Sequence, residues 1–318
     1  MVSTSELPAL MRLHSGQAVH NPQDWARRRI ELSQAALALV YGPLPPVPAA
    51  TRAVLLHEAV SGLFDGARVQ TWRVMADAQP AFMLRMLVPP GPGPFPVLLS
   101  GDACWTYANE AVLRSVLAGG YAWAEFNRVE IMSDVPATVG APQTCAALAG
   151  MDTAAIAAWA WGFHRAVDAL VQMPALNAQA MAVVGHSRGG KAALLAGALD
   201  ERIALTCANN SGAGGAGSFH CLGQGAESLS DIVDAFPHWL SASLQDFKGR
   251  TQSLDFDQHF LKALVAPRYL LTTQAIDDLW ANPEGTVATH EAARQVYAWL
   301  GAESRLVLAF RPGGHPQN

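Results

Sequence analysis

The stretch Met181-Ala182-Val183-Val184-Gly185-His186-Ser187-Arg188-Gly189-Gly190-Lys191 reads as a strand, a sharp turn and the start of a helix, with a serine at the apex. The apolar run is long enough for a buried strand, and the Ala- and Leu-rich residues 191–199 favour helix. Gly185 and Gly189 frame Ser187 as G-x-S-x-G, where a missing Cβ relieves crowding in a steep turn. The serine then projects from the carboxyl edge of a sheet. The helix behind it brings unpaired N–H groups and the positive end of its dipole, which suits an oxyanion. Acyl transfer is the chemistry such a turn serves. Two other readings compete. Residues 185–191 also fit the phosphate-cradling G-x-x-x-x-G-K, although Ala192 stands where a metal-ligating Ser or Thr belongs. Ser187 could also simply cap the helix.

Outward from this segment, strands and helices alternate as in a parallel sheet with helices on both faces. Residues 24–39 form an amphipathic opening helix, whose Arg27-Arg28-Arg29 run reads as a solvated face. Strands at 69–75 and 81–87 read as a hairpin, followed by a rigid Pro/Gly loop at 89–94. Next come a strand at 95–100, a helix at 109–117, a strand at 121–126, an irregular stretch at 134–150 and a helix at 153–171. Strands at 203–208, 269–273 and 306–310 complete the set. Six glycines between 211 and 225 mark a loop that approaches a ligand closely or moves. The fold class is α/β, a three-layer αβα sandwich around a mostly parallel sheet.

Composition bounds the partners. Of 318 residues, 51% are hydrophobic and 15% charged, enough for one large core, so a single domain over 1–318 is expected, the helix and hairpin at 20–90 included. A net charge of −5 offers no basic field for nucleic acid. The most apolar window, 154–171, carries His164, Arg165 and Asp168, which argues against a membrane span. Residues 1–6 lack the features of a secretory signal, so a soluble monomer is expected, cytoplasmic unless a leader has been removed. Cys104, Cys145, Cys207 and Cys221 show neither C-x-x-C pairing nor metal-ligand spacing, and read as thiols, three of them buried.

A nucleophilic serine needs a base, and the base an orienting acid. In α/β-hydrolases these follow the serine as acid, then histidine, each after a late strand. Asp277 and Asp278 follow the 269–273 strand, and His315 follows the last one. On spacing alone either aspartate can serve.

Read at greater length, residues 183–200, VVGHSRGGKAALLAGALD, resemble the serine segment of bacterial glucuronoyl esterases, carbohydrate esterase family 15. Asp24-Trp25, Tyr41-Gly42-Pro43, Ser100-Gly101-Asp102, Phe126-Asn127-Arg128, Asn209-Asn210-Ser211-Gly212, Phe236-Pro237-His238-Trp239, Asp257-Gln258-His259 and Asp278-Leu279-Trp280 resemble the same family in the same order. The resemblance implies an α/β-hydrolase that uses no metal or cofactor. It would cleave the ester between 4-O-methyl-glucuronic acid of xylan and a lignin alcohol, as a small molecule or linked to polysaccharide. By position it implies Ser187 as nucleophile, His315 as base and Arg188 as oxyanion donor through its N–H and guanidinium. Lys191, Glu227 and Trp280 would contact the sugar, although on the residues alone Glu227 also reads as a solvated loop acid and Trp280 as core. Many relatives carry the acid as a glutamate where this chain has Asn210, which moves the acid to Asp278. Relatives also continue past the histidine with a helix on the sheet, so apolar surface on that face, or another cover for it, is expected here. Ser218-Phe219-His220 replaces an arginine-containing segment. An esterase for other acylated sugars or small esters, and a catalytically silent carbohydrate-binding relative, are the alternatives.

Other clusters carry less. His57-Glu58 has no second histidine four residues on, so it is no zincin helix. Trp159 and Trp161 point to nearly opposite faces, one of them expected in the core. Residues 101–104 are the candidate second oxyanion donor, and Arg128 and Glu130 could orient each other.

Overall fold

Residues 7–135 and 143–316 are described by the computed structural model; residues 1–6, the part of the irregular stretch at 136–142, and 317–318 lie outside the described residues. Among the described residues nine strands form one sheet: β1 (Thr51–Val60), β2 (Arg68–Ala76), β3 (Gln79–Val88), β4 (Phe95–Ser100), β5 (Ala122–Phe126), β6 (Leu176–His186), β7 (Ile203–Asn209), β8 (Tyr269–Ala275) and β9 (Leu306–Arg311). Their order is β1-β2-β3-β5-β4-β6-β7-β8-β9. The pairs from β1 to β5 are antiparallel, and those from β5 to β9 are parallel. Between β4 and β6 the strand order reverses, opening a crevice at their carboxyl ends. Ser187 follows one of these strands and Asp102 the other.

The buried sides of the parallel strands read as near-continuous apolar runs because a helix layer covers them. That layer holds α1 (Pro22–Ala35), α4 (Ala155–Leu170), α5 (Arg188–Leu199), α7 (His259–Val265) and α8 (Pro283–Trp299). Small residues let α4 and α5 settle closely onto their neighbours: a Cβ on Gly162 of α4 would lie 2.1 Å from Ile131, and one on Gly197 of α5 would lie 1.9 Å from Thr206 of β7. Trp159 and Trp161 are both core, their indole N–H groups donating to the carbonyls of Met132 and Pro46. The opposite side of the sheet carries α2 (Glu110–Ala118). Next to it lies an apolar groove of about 460 Å³, lined by Leu98, Val116, Val184, Leu271 and Phe310. No helix among the described residues is long and apolar enough to cross a membrane.

Local expectations meet the structure as follows in four places. Strand β1 was not anticipated: it is an edge strand, exposed along most of its length and bulged between Leu55 and His57, so no burial pattern marks it. Of the arginine run only Arg27 is solvated. Arg28 is buried with its guanidinium donating to the carbonyls of Ala9 and Leu10, and Arg29 holds those of Leu264 and Ala266. The glycine-rich loop is buried over residues 211–220, and its Ser211 and Gly212 line the cavity described below. The four cysteines are half-buried rather than fully so.

The start of α5 is tight as well. A Cβ on Gly189 would sit 2.1 Å from a carboxylate oxygen of the buried Asp102. Gly189→Ala should therefore cost about 3 kcal/mol of unfolding free energy, from overpacking against a group that cannot retreat. Gly62→Ala, with nothing within 4 Å of its Cβ, should be near neutral. Urea unfolding of the two variants measures the contrast, and similar losses would contradict it.

Candidate active site

Strand β6 ends at His186 and α5 starts at Arg188, so one residue makes the turn, and Ser187 takes φ 53° and ψ −123°. A non-glycine residue there stores about 1–3 kcal/mol of strain and must be held from several sides. Its N–H donates to the Asn209 carbonyl at 2.9 Å, and its carbonyl accepts from Lys191 at 3.1 Å. One residue earlier, the His186 N–H donates to Asp102 Oδ2 at 2.8 Å. Asp102 in turn forms a buried ion pair with Arg128, whose guanidinium lies 4.9 Å from the Trp159 ring centroid. This carboxylate occupies the hollow that a phosphate loop would need, and the Ser187 hydroxyl does not cap the helix. Both competing readings of the motif fail on these contacts.

Instead the hydroxyl meets His315, with Nε2 3.0 Å from Oγ. On the other side of the ring, Nδ1 lies 2.6 Å from Oδ2 of Asp278. A carboxylate can only accept, so Nδ1 carries a proton and Nε2 is free to receive one. Asp278 is buried while His315 is exposed, so the carboxylate is shielded and the base open to solvent. Asp277 points elsewhere and accepts the Gly313 N–H at 3.1 Å, which pins the loop carrying His315. Arg311 adds donations to the carbonyls of Gly314, His315 and Pro316. Asn210 sits behind the acid, its Nδ2 donating to Asp278 Oδ2 at 3.0 Å and its Oδ1 accepting the Ala275 N–H at 2.7 Å.

His186 packs 4.8 Å from His315, ring to ring. Burial, with the competing imidazole of His315 and the Arg311 charge nearby, pushes its pKa down to about 4, so it stays neutral near neutral pH. Its Nδ1 faces the Asn209 amide nitrogen at 2.8 Å and therefore accepts.

The serine opens onto a cavity of about 230 Å³ lined by Ser187, Arg188, Lys191, Glu227, Trp239, Asp278, Trp280 and His315, among others. It is smaller than the groove on the sheet face, but here the polar groups converge. Two of the three Lys191 ammonium protons go to the carbonyls of Ser211 and Ala213, and Glu227 lies 3.7 Å away. Lys191 thus holds the glycine-rich loop as well as facing the cavity. Burial lowers the Lys191 pKa and raises that of Glu227, each charge relying on the other. Glu227 is buried, not a solvated loop acid, and Trp280 is half-exposed at the rim, not core. Among the described residues no three His, Cys, Asp or Glu side chains converge as metal ligands.

None of residues 101–104 lines this cavity. The N–H groups of Asp102, Ala103 and Trp105 are already given to Ser100, Phe126 and Asp102. Arg128 and Glu130 do not pair; Glu130 accepts the Met83 N–H instead. Ser218 and Phe219 lie behind the cavity, both donating to the Asp257 carboxylate. Missed altogether was Asp134, which binds Arg188.

The Lys191–Glu227 pair makes a stability prediction. Lys191→Met strands a buried carboxylate and two carbonyls, and should cost about 3–5 kcal/mol in urea unfolding. Lys191→Met with Glu227→Gln should recover part of that loss; a double variant as unstable as the sum of the singles would show that the two charges do not couple.

Comparison with known proteins identifies the family. The family description of glucuronyl esterases of fungi matches residues 75–301. A 4-O-methyl-glucuronoyl methylesterase of Podospora anserina is 30% identical over 301 residues, covering 91% of this chain and 59% of that protein. A carbohydrate esterase, MZ0003, of an unknown prokaryotic organism is 42% identical over 147 residues, 46% of this chain and 33% of its own length. The chain thus spans less than two thirds of these curated relatives. Among solved structures, a family 15 glucuronoyl esterase from Caldicellulosiruptor kristjansonii superposes with a TM-score of 0.78 at 32% identity, covering 99% of this chain and 86% of that one. A mutant glucuronoyl esterase from Sporotrichum thermophile, in complex with methyl 4-O-methyl-β-D-glucopyranuronate, gives 0.80 at 25% identity, covering 100% and 84%. A match of the family description across most of the chain, together with a fold shared over nearly its whole length, places this α/β-hydrolase in the glucuronoyl esterase family, carbohydrate esterase family 15.

Proposed function

We propose that the chain hydrolyses esters of 4-O-methyl-glucuronic acid, releasing the uronic acid and an alcohol, with xylan-borne uronate esterified to lignin alcohols as the class of natural substrate. The observation that carries this reading is the hydrogen-bonded run Ser187–His315–Asp278, at 3.0 and 2.6 Å, on a cavity walled by Lys191 and Glu227. The ligand seen in the Sporotrichum thermophile relative is a methyl ester of that uronic acid, which supports the substrate class.

In the proposed reaction Ser187 Oγ attacks the uronoyl carbonyl carbon as its proton passes to His315 Nε2. Asp278 stabilises the imidazolium through Nδ1–H and is not itself protonated. The oxyanion forms beside the first N–H groups of α5, that of Arg188 foremost, where the helix dipole favours negative charge. Collapse breaks the bond to the alcohol oxygen, which takes the proton from His315. Water, deprotonated by the same Nε2, then attacks the acyl-enzyme, and the uronic acid leaves as Ser187 regains its proton. Lys191, Glu227 and Trp280 hold the sugar.

A broader ester range is the second reading. A structurally similar enzyme from a marine bacterial metagenome is described as a promiscuous esterase of family 15, at 26% identity and a TM-score of 0.82. A silent binding relative finds no support in a site where hydroxyl, imidazole and carboxylate stand in hydrogen-bonding reach.

Ser187→Ala should abolish hydrolysis of benzyl glucuronate while the protein stays folded, since only a hydroxyl is removed. Unchanged turnover would reject Ser187 as nucleophile. Asp278→Asn should lower kcat by about two to four orders of magnitude, the scale seen when a triad carboxylate is lost. Asp277→Asn should cost far less, because its carboxylate faces the Gly313 N–H rather than the base. A larger loss from the Asp277 variant would reverse the assignment.

A further inference from the structure

Arg188 follows the serine directly, and its long side chain is not left to find its own position. The guanidinium lies over the Trp239 ring, 4.5 Å from the centroid, and 5.4 Å from that of Phe236. Those two rings are stacked on each other at 3.7 Å and 3°. The stack is fixed in turn, because the carbonyls of His238 and Trp239 accept the Ala155 and Ile156 N–H groups at the start of α4. One carboxylate closes the arrangement. Asp134 Oδ2 accepts Arg188 Nη1–H at 2.6 Å, while its Oδ1 accepts Trp239 Nε1–H at 2.7 Å and His238 Nε2–H at 3.1 Å. The segment carrying Asp134 is itself tied down, Met132 bridging to Thr144 and Ser133 N–H donating to the Gln143 carbonyl.

We propose that Asp134 is a positioning residue for this reaction: it locks the Arg188 guanidinium onto the Trp239–Phe236 stack beside the nucleophile, so that the positive group meets the reacting carbonyl already oriented. An unpinned arginine samples many rotamers, and an arginine that must reorganise during the reaction stabilises developing charge less than one already in place. Asp134 suits the task because its charge persists. Burial raises its pKa, but the three donors and the Arg188 charge outweigh this and hold the carboxyl well below the usual range. Trp239 adds a second link, since its ring lies 5.8 Å from Lys191 Nζ as well. The inference rests on the reading of Ser187 as nucleophile with Arg188 at the oxyanion.

The test is a rate cycle on benzyl glucuronate with the parent, Asp134→Asn, Arg188→Gln and the double variant, alongside fluorophosphonate labelling of Ser187. Asp134→Asn should lower kcat by about 10- to 100-fold, short of the about 10²–10³-fold that losing an oxyanion donor costs, with KM within about threefold. In the Arg188→Gln background it should cause no further loss, because its effect passes through the guanidinium. A residue that merely supports the fold would lower the rate in both backgrounds. Should Asp134→Asn not fold, His238→Asn removes one donor to Asp134 and keeps the carboxylate. It should cost about two- to fivefold, again only when Arg188 is present. Parent-like kcat in the Asp134 variant, or a loss undiminished without Arg188, overturns the inference alone, provided the parent labels at Ser187. A parent that neither labels nor hydrolyses overturns the reading of the site, and the inference with it.

Discussion

Asp102 lies after β4, Arg128 after β5 and Ser187 after β6, and the buried ion pair between the first two sets where the third can stand. A carboxylate with so little exposure is costly to bury unless paired and hydrogen-bonded, and here the guanidinium and the His186 N–H both serve it. The same carboxylate is the surface on which Gly189 rests, so it fixes the first turn of α5 relative to the strand behind. The strained angles of Ser187 persist because strand, helix start and the Asn209 carbonyl all meet at that residue. Arg128 extends the constraint to the helix layer. Its Nε and Nη2 find no acceptor among the described residues, and its charge lies over the Trp159 indole face instead.

That arrangement explains which parts of the molecule the sequence discloses. The central strands and the helices packed on them carry period-based signals over many residues, and the serine turn needs glycines at fixed offsets, so both are legible locally. The order of acid and histidine after late strands is legible because chain order maps onto strand order in this fold. Contacts made across the fold are not. Asp102 and Arg128 are 26 residues apart, and no spacing rule links them. Arg28 and Arg29 read as solvent-facing because charge runs generally are, yet carbonyls of residues 9, 10, 264 and 266 happen to converge on them. Helical spacing put Lys191 one turn from Ser187, on the correct side. It could not reveal that the 211–213 carbonyls would claim two of the three ammonium protons. Asp134 was invisible for the same reason, being a lone acid whose meaning comes from three donors more than 50 residues away.

Position 210 shows how a departure from a family pattern and its compensation can be one feature. The ends of β7 and β8 both approach His315, so an orienting acid could stand on either. In the proposed site it stands after β8 as Asp278, and the position after β7 holds an amide. An amide can do what a second carboxylate cannot: its oxygen takes the Ala275 N–H while its nitrogen donates to Asp278 Oδ2 and to the His315 carbonyl, at 3.0 and 3.4 Å. A carboxylate in its place would set two negative charges side by side in a buried site, and one would have to bind a proton. Asn210 also carries φ 43°, in the left-handed region that asparagine tolerates better than most side chains. With an amide at 210, Asp278 Oδ2 meets a donor in place of a second negative charge, and the carboxylate stays buried against Nδ1 of His315.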